Sequence, residues 1–212
     1  MFFWSSFVDL LRLVLFALAH VCGGSLGGGI VMLSLIVRLA LLPLTLRLAM
    51  RAREHQEAIR RIAPELARLQ KRHAKDPARL AQATRELYGA NGIGLVPKGT
   101  LLGTAIQMPI GAGVYQTIAA STHRAARFLW ITDLSKPDVL VASIAAGLAG
   151  AGIAMAPSAG SSRTAAALAS VVTFFVAWRL SAGVGLYWVA SNVVGVVQSL
   201  LMRRAVSRVE QA

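Results

Sequence analysis

The chain is 212 residues long and 56% hydrophobic, with a mean hydropathy of +0.61, yet it carries 22 Lys+Arg against 9 Asp+Glu. A single soluble domain is rarely both this apolar and this basic, and here the two kinds of residue occupy different stretches. This composition excludes a disordered chain and the single Cys excludes a disulfide scaffold. The lack of a Cys/His cluster argues against a structural zinc site.

In chain order, residues 2–21 are apolar, but Ser5, Asp9 and Arg12 fall at i, i+4 and i+7 and form one polar stripe on a helix. No basic segment precedes them, as a signal peptide requires. Ala19-His20-Val21-Cys22 is a poor lipoprotein cleavage site. The favoured reading of residues 1–29 is an amphipathic helix lying on the outer membrane surface, followed by a turn through the run Gly23-Gly24-Ser25-Leu26-Gly27-Gly28-Gly29. A further span over 2–21 is the alternative.

Residues 30–50 are a first span, holding Arg38 in the middle and Arg47 near the end. Residues 51–98 read as a water-exposed helical hairpin with eleven basic and five acidic residues. Its first helix places Ile59, Ile62, Leu66 and Leu69 on a 3-4-3 seam. Asp76-Pro77 is an N-cap and first-turn pair for the second helix, which offers Leu80 and Leu87. Gly89, Asn91, Gly92 and Gly94 end it.

Four further apolar stretches, 99–119, 139–156, 164–180 and 181–202, match the roughly 17–25 residues that a spanning helix needs. An outer loop (120–138), a short cytoplasmic loop (157–163) and a basic tail (203–212) complete the chain. The expected architecture is all-α: five transmembrane helices, a cytoplasmic hairpin and an N-terminal interfacial helix. Fifteen of the 22 Lys+Arg fall in 51–98, at Arg163, or after the last span, and five (Arg12, Arg124, Arg127, Lys136 and Arg179) lie on the opposite side. The positive-inside rule makes the richer side cytoplasmic, with the N-terminus out and the C-terminus in.

Arg38 is the most informative residue. It has eight span residues on each side, about 12 Å at the helical rise, and a charge at that depth costs roughly 3 kcal/mol on insertion scales. All nine acids lie outside the five spans. Arg38 must therefore be solvated by water, by backbone and hydroxyl groups, or by a visiting group. Ser34, Arg38 and Thr45 share one face of the first span. Thr100, Thr104, Gln107 and Tyr115 stripe the second, and Trp188, Ser191, Asn192 and Ser199 the fifth. Spans three and four are nearly bare, with Ser143, Ser170 and Thr173 as exceptions, and read as apolar support. Singly, each hydroxyl or amide is an ordinary interhelical hydrogen bond; together with Arg38 they describe a hydrophilic cavity.

From the N-terminal helix to about Met202 the chain resembles the YidC/Oxa/Alb membrane protein insertase family. The resemblance lies in Ile36-Val37-Arg38 and Pro43-Leu44-Thr45, in Pro64 and Leu87-Tyr88, and in Gln107-Met108-Pro109. It continues through Leu129-Trp130-Ile131-Thr132-Asp133-Leu134-Ser135 to Leu186-Tyr187, Ser191-Asn192 and Gln198. It implies a five-helix core with a groove open to the cytoplasm and to lipid, sealed towards the outside. Arg38 would be its receiving charge, with Ser34, Gln107 and Trp188 at positions similar to groove-lining ones. Substrates would be nascent small or short-tailed membrane proteins, inserted without ATP, alone or beside the Sec translocon.

Gly103 and Ser181 stand where the family has prolines, Arg179 where an apolar residue is usual, and Lys98 interrupts a Gly-rich approach to the second span. A large periplasmic domain, an extra signal-anchor and a long basic tail are expected to be absent, which weakens the expectation of strong ribosome affinity.

The resulting expectation is a bacterial plasma-membrane insertase or chaperone. It draws a polar, often acidic, substrate segment towards Arg38 at reduced dielectric, while burial of the substrate's apolar helix in lipid drives the step. Groove residues would be Arg38, Ser34, Thr45, Thr104, Gln107, Tyr115, Trp188, Ser191 and Asn192. Arg60, Arg61, Arg68, Lys71 and Arg72 of the hairpin would recruit ribosome or translocon electrostatically. No base-reading motif or aromatic platform accompanies them, so sequence-specific nucleic-acid binding is not expected. No nucleophile–base pair, metal cluster or phosphate loop points to an enzyme or a cofactor. The rival readings are a small anion channel or transporter and an assembly factor for membrane complexes. The wholly apolar residues 30–33 and the lack of inverted repeats count against the channel.

Overall fold

A computed structural model describes residues 2–94, 98–122, 126–155 and 163–209. They form helices and no strands: α1 (Phe2–Val21), α2 (Leu26–Arg72), α3 (Pro77–Ala90), α4 (Lys98–Ser121), α5 (Val139–Met155), α6 (Arg163–Arg179) and α7 (Ala182–Val209). Segments within α1, α2 and α7 are long and apolar enough to cross a membrane, and α5 is a shorter apolar helix. Arg124 and most of the loop expected over 157–163 lie outside the described residues.

The chain divides into two compact units, one of Met1–Pro43 with Met108–Ala212, the other Leu44–Gln107. In the first, α1 and α2 are joined by a turn at 22–25, where Gly23 (φ +70) and Gly24 (φ +82) take the left-handed backbone open to glycine. The turn is shorter than the expected run of seven residues, because Gly27, Gly28 and Gly29 already lie in α2. One stripe of α1, Val8, Leu11, Leu15 and Ala19, is buried, while Leu10, Leu13 and Phe16 are exposed. The stripe packs on α4, where the Thr117 hydroxyl donates to Val8 O at 3.4 Å and Trp4 Nε1 donates to Gln116 Oε1 at 3.0 Å.

The core of this unit gathers Leu11 and Leu15 of α1, Ile30 and Leu33 of α2, Val114 and Ile118 of α4, Val141 of α5 and Val184 and Leu186 of α7. Ile131 and Leu134 fill it from the 126–138 loop. That loop is tied down by its backbone. Leu134 N donates to Ala126 O at 2.9 Å, and Ala182 N and Gly183 N donate to Lys136 O and Leu134 O at 2.8 and 3.0 Å. Asp138 then caps α5, accepting from Val141 N at 2.8 Å. α5 packs against both α6 and α7. Its buried positions are mainly small (Ala142, Ala145, Ala146 and Gly150), as close helix contact requires where lipid tails are as apolar as the side chains.

The second unit holds the C-terminal stretch of α2, all of α3 and the first part of α4. α2 runs without a break past residue 50, so the change there from apolar to basic sequence is not a helix end. α3 begins at the Asp76-Pro77 pair, with Arg79 N donating to Asp76 Oδ1 at 3.0 Å. It ends at Asn91, followed by Gly92 at φ +65. Ile62 is buried and Ile59, Leu66 and Leu69 are half-buried, whereas Arg60, Arg61, Arg68, Lys71 and Arg72 are all exposed.

Candidate functional site: a cavity around Arg38

Arg38 lies in α2 and, with residues of three other helices, lines an open cavity of about 270 Å³. Tyr187, Trp188, Ser191 and Asn192 of α7 form one wall, and Ala149 of α5 and Thr173 of α6 complete it. The four α7 residues lie within six positions and reach a common space because 187, 188, 191 and 192 follow the i, i+1, i+4, i+5 pattern of one helix face. Arg38 is half-buried, and among the described residues no carboxylate pairs with it.

The two neighbouring amide and hydroxyl groups differ in their bonding. Asn192 Nδ2 donates to Ala145 O of α5 at 3.1 Å, so this amide also clamps α7 to α5. The Ser191 hydroxyl is buried, with the residue 3% exposed, and has no hydrogen-bond partner among the described residues. A buried polar group without a partner costs about 1–3 kcal/mol. Eight residues beyond Ser191, Ser199 Oγ donates to Gly152 O at 3.2 Å and is an interhelical tie rather than a cavity group.

The structure redistributes the residues expected from sequence. Arg38, Trp188, Ser191 and Asn192 come together in the cavity. Ser34, expected on the same wall, is instead fully buried and donates its hydroxyl to Ile30 O at 2.6 Å. It is four residues from Arg38, and back-bonding to its own helix satisfies it there. Tyr115 is exposed on α4 and does not line the cavity. Thr45, Thr104 and Gln107 belong to the other compact unit, and the side chain of Thr104 lies outside the described residues.

α5 and α6 also contribute to this cavity: Ala149 and Thr173, the latter one of the polar exceptions in its apolar stretch, are part of the wall. The sequence signal for Thr173 was its hydroxyl in an apolar run. Ala149 gave no signal, because a small side chain marks a cavity only when its neighbours are known.

Val184 and Leu186 precede the cavity residues Tyr187 and Trp188 on α7, and Ile30 and Leu33 precede Arg38 on α2; all four are buried in the core.

Residues 17–209 match the family described as 60Kd inner membrane protein. The chain is 31% identical over 191 residues to a membrane protein insertase YidC of Clostridium tetani, covering 85% of this chain and 82% of that protein. It is 32% identical over 191 residues to membrane protein insertase YidC 1 of Streptococcus pyogenes, covering 84% and 67%. Against the Azotobacter vinelandii YidC it is 31% identical over 206 residues, 93% of this chain but 35% of that longer protein. With the match extending over nearly the whole chain, from α1 to the end of α7, this protein belongs to the 60Kd inner membrane protein family, the YidC/Oxa/Alb family that its motifs resemble.

Proposed function

We propose that the chain is a membrane protein insertase whose Arg38 cavity receives a polar segment of a nascent membrane protein while the segment's neighbouring apolar helix passes into lipid. The observation that carries this reading is an arginine without a carboxylate partner among the described residues, beside an unpartnered buried hydroxyl, on the wall of an open cavity. An acidic or hydroxyl-bearing segment supplies the acceptor that Arg38 lacks and the partner that Ser191 lacks. At reduced dielectric this attraction exceeds that of the same pair in water, and it offsets part of the cost of taking polar groups from water. Arg38 acts as an electrostatic receiver and forms no covalent bond. The names of the relatives, membrane protein insertase, support the same reading.

The wholly apolar residues 30–33 that precede Arg38 on α2 favour the insertase over a pore for anions. The proposed placement is a bacterial plasma membrane with the N-terminus out and the C-terminus in, so that residues 51–98 face the cytoplasm. There the exposed Arg60, Arg61, Arg68, Lys71 and Arg72 offer a basic surface to the ribosome or a translocon, a contact expected to weaken with salt.

The test uses the purified chain in liposomes and protease protection of a single-span substrate with an acidic tail. Protection above that of empty liposomes is expected. Arg38→Glu should abolish it and Arg38→Lys should retain most of it, because the sign of the charge and its depth survive. Equal loss for acidic-tailed and neutral-tailed substrates would overturn the receiver role. Chloride flux that depends on Arg38 would replace the insertase reading with the channel.

A further inference from the structure

A second cavity, of about 510 Å³, lies apart from Arg38 and is lined by Arg12, Phe16 and Ala19 of α1, by Gly24 and Leu26 at the α1–α2 turn, and by Ala120, Ser121 and Ala126 around the end of α4. Its origin is local. α1 touches α4 at Val8 and Thr117 and meets α2 where Gly29 faces Ala19. Between these two contacts the lining residues Ala19, Gly24, Ala120 and Ala126 are too small to fill the gap. The volume falls in the range of small-molecule pockets.

We propose that this cavity is a binding site for the headgroup of a membrane lipid carrying a single negative charge on a phosphodiester. Three observations carry the assignment. First, Arg12 supplies a cation, and its guanidinium makes one ion-pair contact, at 3.6 Å, with the largely exposed Asp9. Second, the Ser121 hydroxyl, from a lining residue at the end of α4, is buried and without a hydrogen-bond partner among the described residues. A planar guanidinium and an unsatisfied hydroxyl on residues that line one cavity suit the oxygens of a phosphate. Third, the remaining wall is apolar, and Phe16 continues to the exposed surface of α1 beside Leu13, a track for an acyl chain leaving the site. Asp9 sets the charge of the ligand: a carboxylate this close to Arg12 repels a dianionic phosphomonoester more strongly than a monoanionic diester. The site shares no residue with the Arg38 cavity and does not depend on the insertase reading.

The full chain, reconstituted in phosphatidylcholine nanodiscs doped with phosphatidylglycerol, tests this by native mass spectrometry of retained lipid. One phosphatidylglycerol should be retained by the wild-type protein. Arg12→Gln and the cavity-filling Ala120→Trp should each reduce its retention about tenfold, the scale of one lost charge-assisted hydrogen bond. Arg12→Lys should keep most of it, Asp9→Asn should raise it, and Arg85→Gln, which removes an exposed charge from the other compact unit, should leave it unchanged. Rescue by Arg12→Lys separates loss of the ligand from loss of the fold. Equal retention by wild type, Arg12→Gln and Ala120→Trp would overturn the proposal, as would equal loss in Arg85→Gln. Release of the lipid by inorganic phosphate alone would also overturn it, by assigning the site to a free anion.

Discussion

A Cβ built on Gly29 lies 2.9 Å from Ala19 N and 3.0 Å from Ala19 Cα, so the backbones of α1 and α2 meet there with no room for a side chain. Backbone cannot swing aside as a flexible side chain can, and the helices must part to admit a methyl group. Gly29→Ala should therefore destabilise the protein by roughly 1–3 kcal/mol, the usual scale of overpacking, as read from thermal unfolding in detergent micelles. Gly195→Ala is the matched control. Nothing lies within 4 Å of a Cβ there, and alanine in a helix interior should add about 0.5–1 kcal/mol. The sequence showed the glycine run but not this contact, and so extended the turn over residues that are helical. Ser34 gives the same lesson: helical spacing puts it on the face of Arg38, yet spacing cannot tell whether a hydroxyl bonds outward or back to Ile30 O.

At the scale of elements, what was legible followed from local chemistry. Asp76-Pro77 starts α3 because an acceptor at the N-cap and a fixed φ at the first turn act without tertiary help. The long apolar stretches became helices because a helix satisfies its backbone hydrogen bonds within the segment. Thr173 and Ala149 were not placed in the cavity, because that depends on how α5, α6 and α7 pack, which no local pattern records.

The 126–138 loop is held by contacts distant in sequence, together with one local device that has a pH consequence. Asp133 Oδ1 accepts from the Ser135 hydroxyl at 2.5 Å and from Ser135 N at 2.9 Å, and Lys136 Nζ stands 3.7 Å from Oδ2. These contacts, the Ser135 hydroxyl foremost, hold the Asp133 carboxyl below the ordinary carboxylate range. A depressed folded-state value means that the contribution is present above the unfolded pKa, near 3.9, and is lost as pH falls through the lower folded value. Amide exchange at Ser135, corrected for its intrinsic pH dependence, should thus show constant protection from neutral pH to about pH 5 and lose it only in stronger acid. Asp133→Asn, which cannot ionise, should remove that pH dependence.

For the molecule as a whole, the segregation of charge was the strongest signal in the sequence. It identified a membrane protein and isolated Arg38 before any contact was known. α6 carries a further consequence of the same kind. It is 17 residues long with an arginine at each end, and Leu168, Val171, Val172, Phe175 and Val176 are exposed along it. Its apolar length between Arg163 and Arg179 is about 22 Å at the helical rise, whereas the hydrocarbon layer of a typical bilayer is about 30 Å thick. Such a mismatch is relieved by thinning of the adjacent bilayer or by stretching of the two arginines towards the headgroups. On the proposed insertase reading, with α6 as a span, insertion should run faster in liposomes of short-chain lipids than of long-chain lipids, and lengthening α6 by one apolar turn should weaken that preference. Placed across a membrane, as the sequence expects of residues 164–180, a helix of this length would bring the two water surfaces closer together beside it and shorten the hydrocarbon path that any polar segment has to cross.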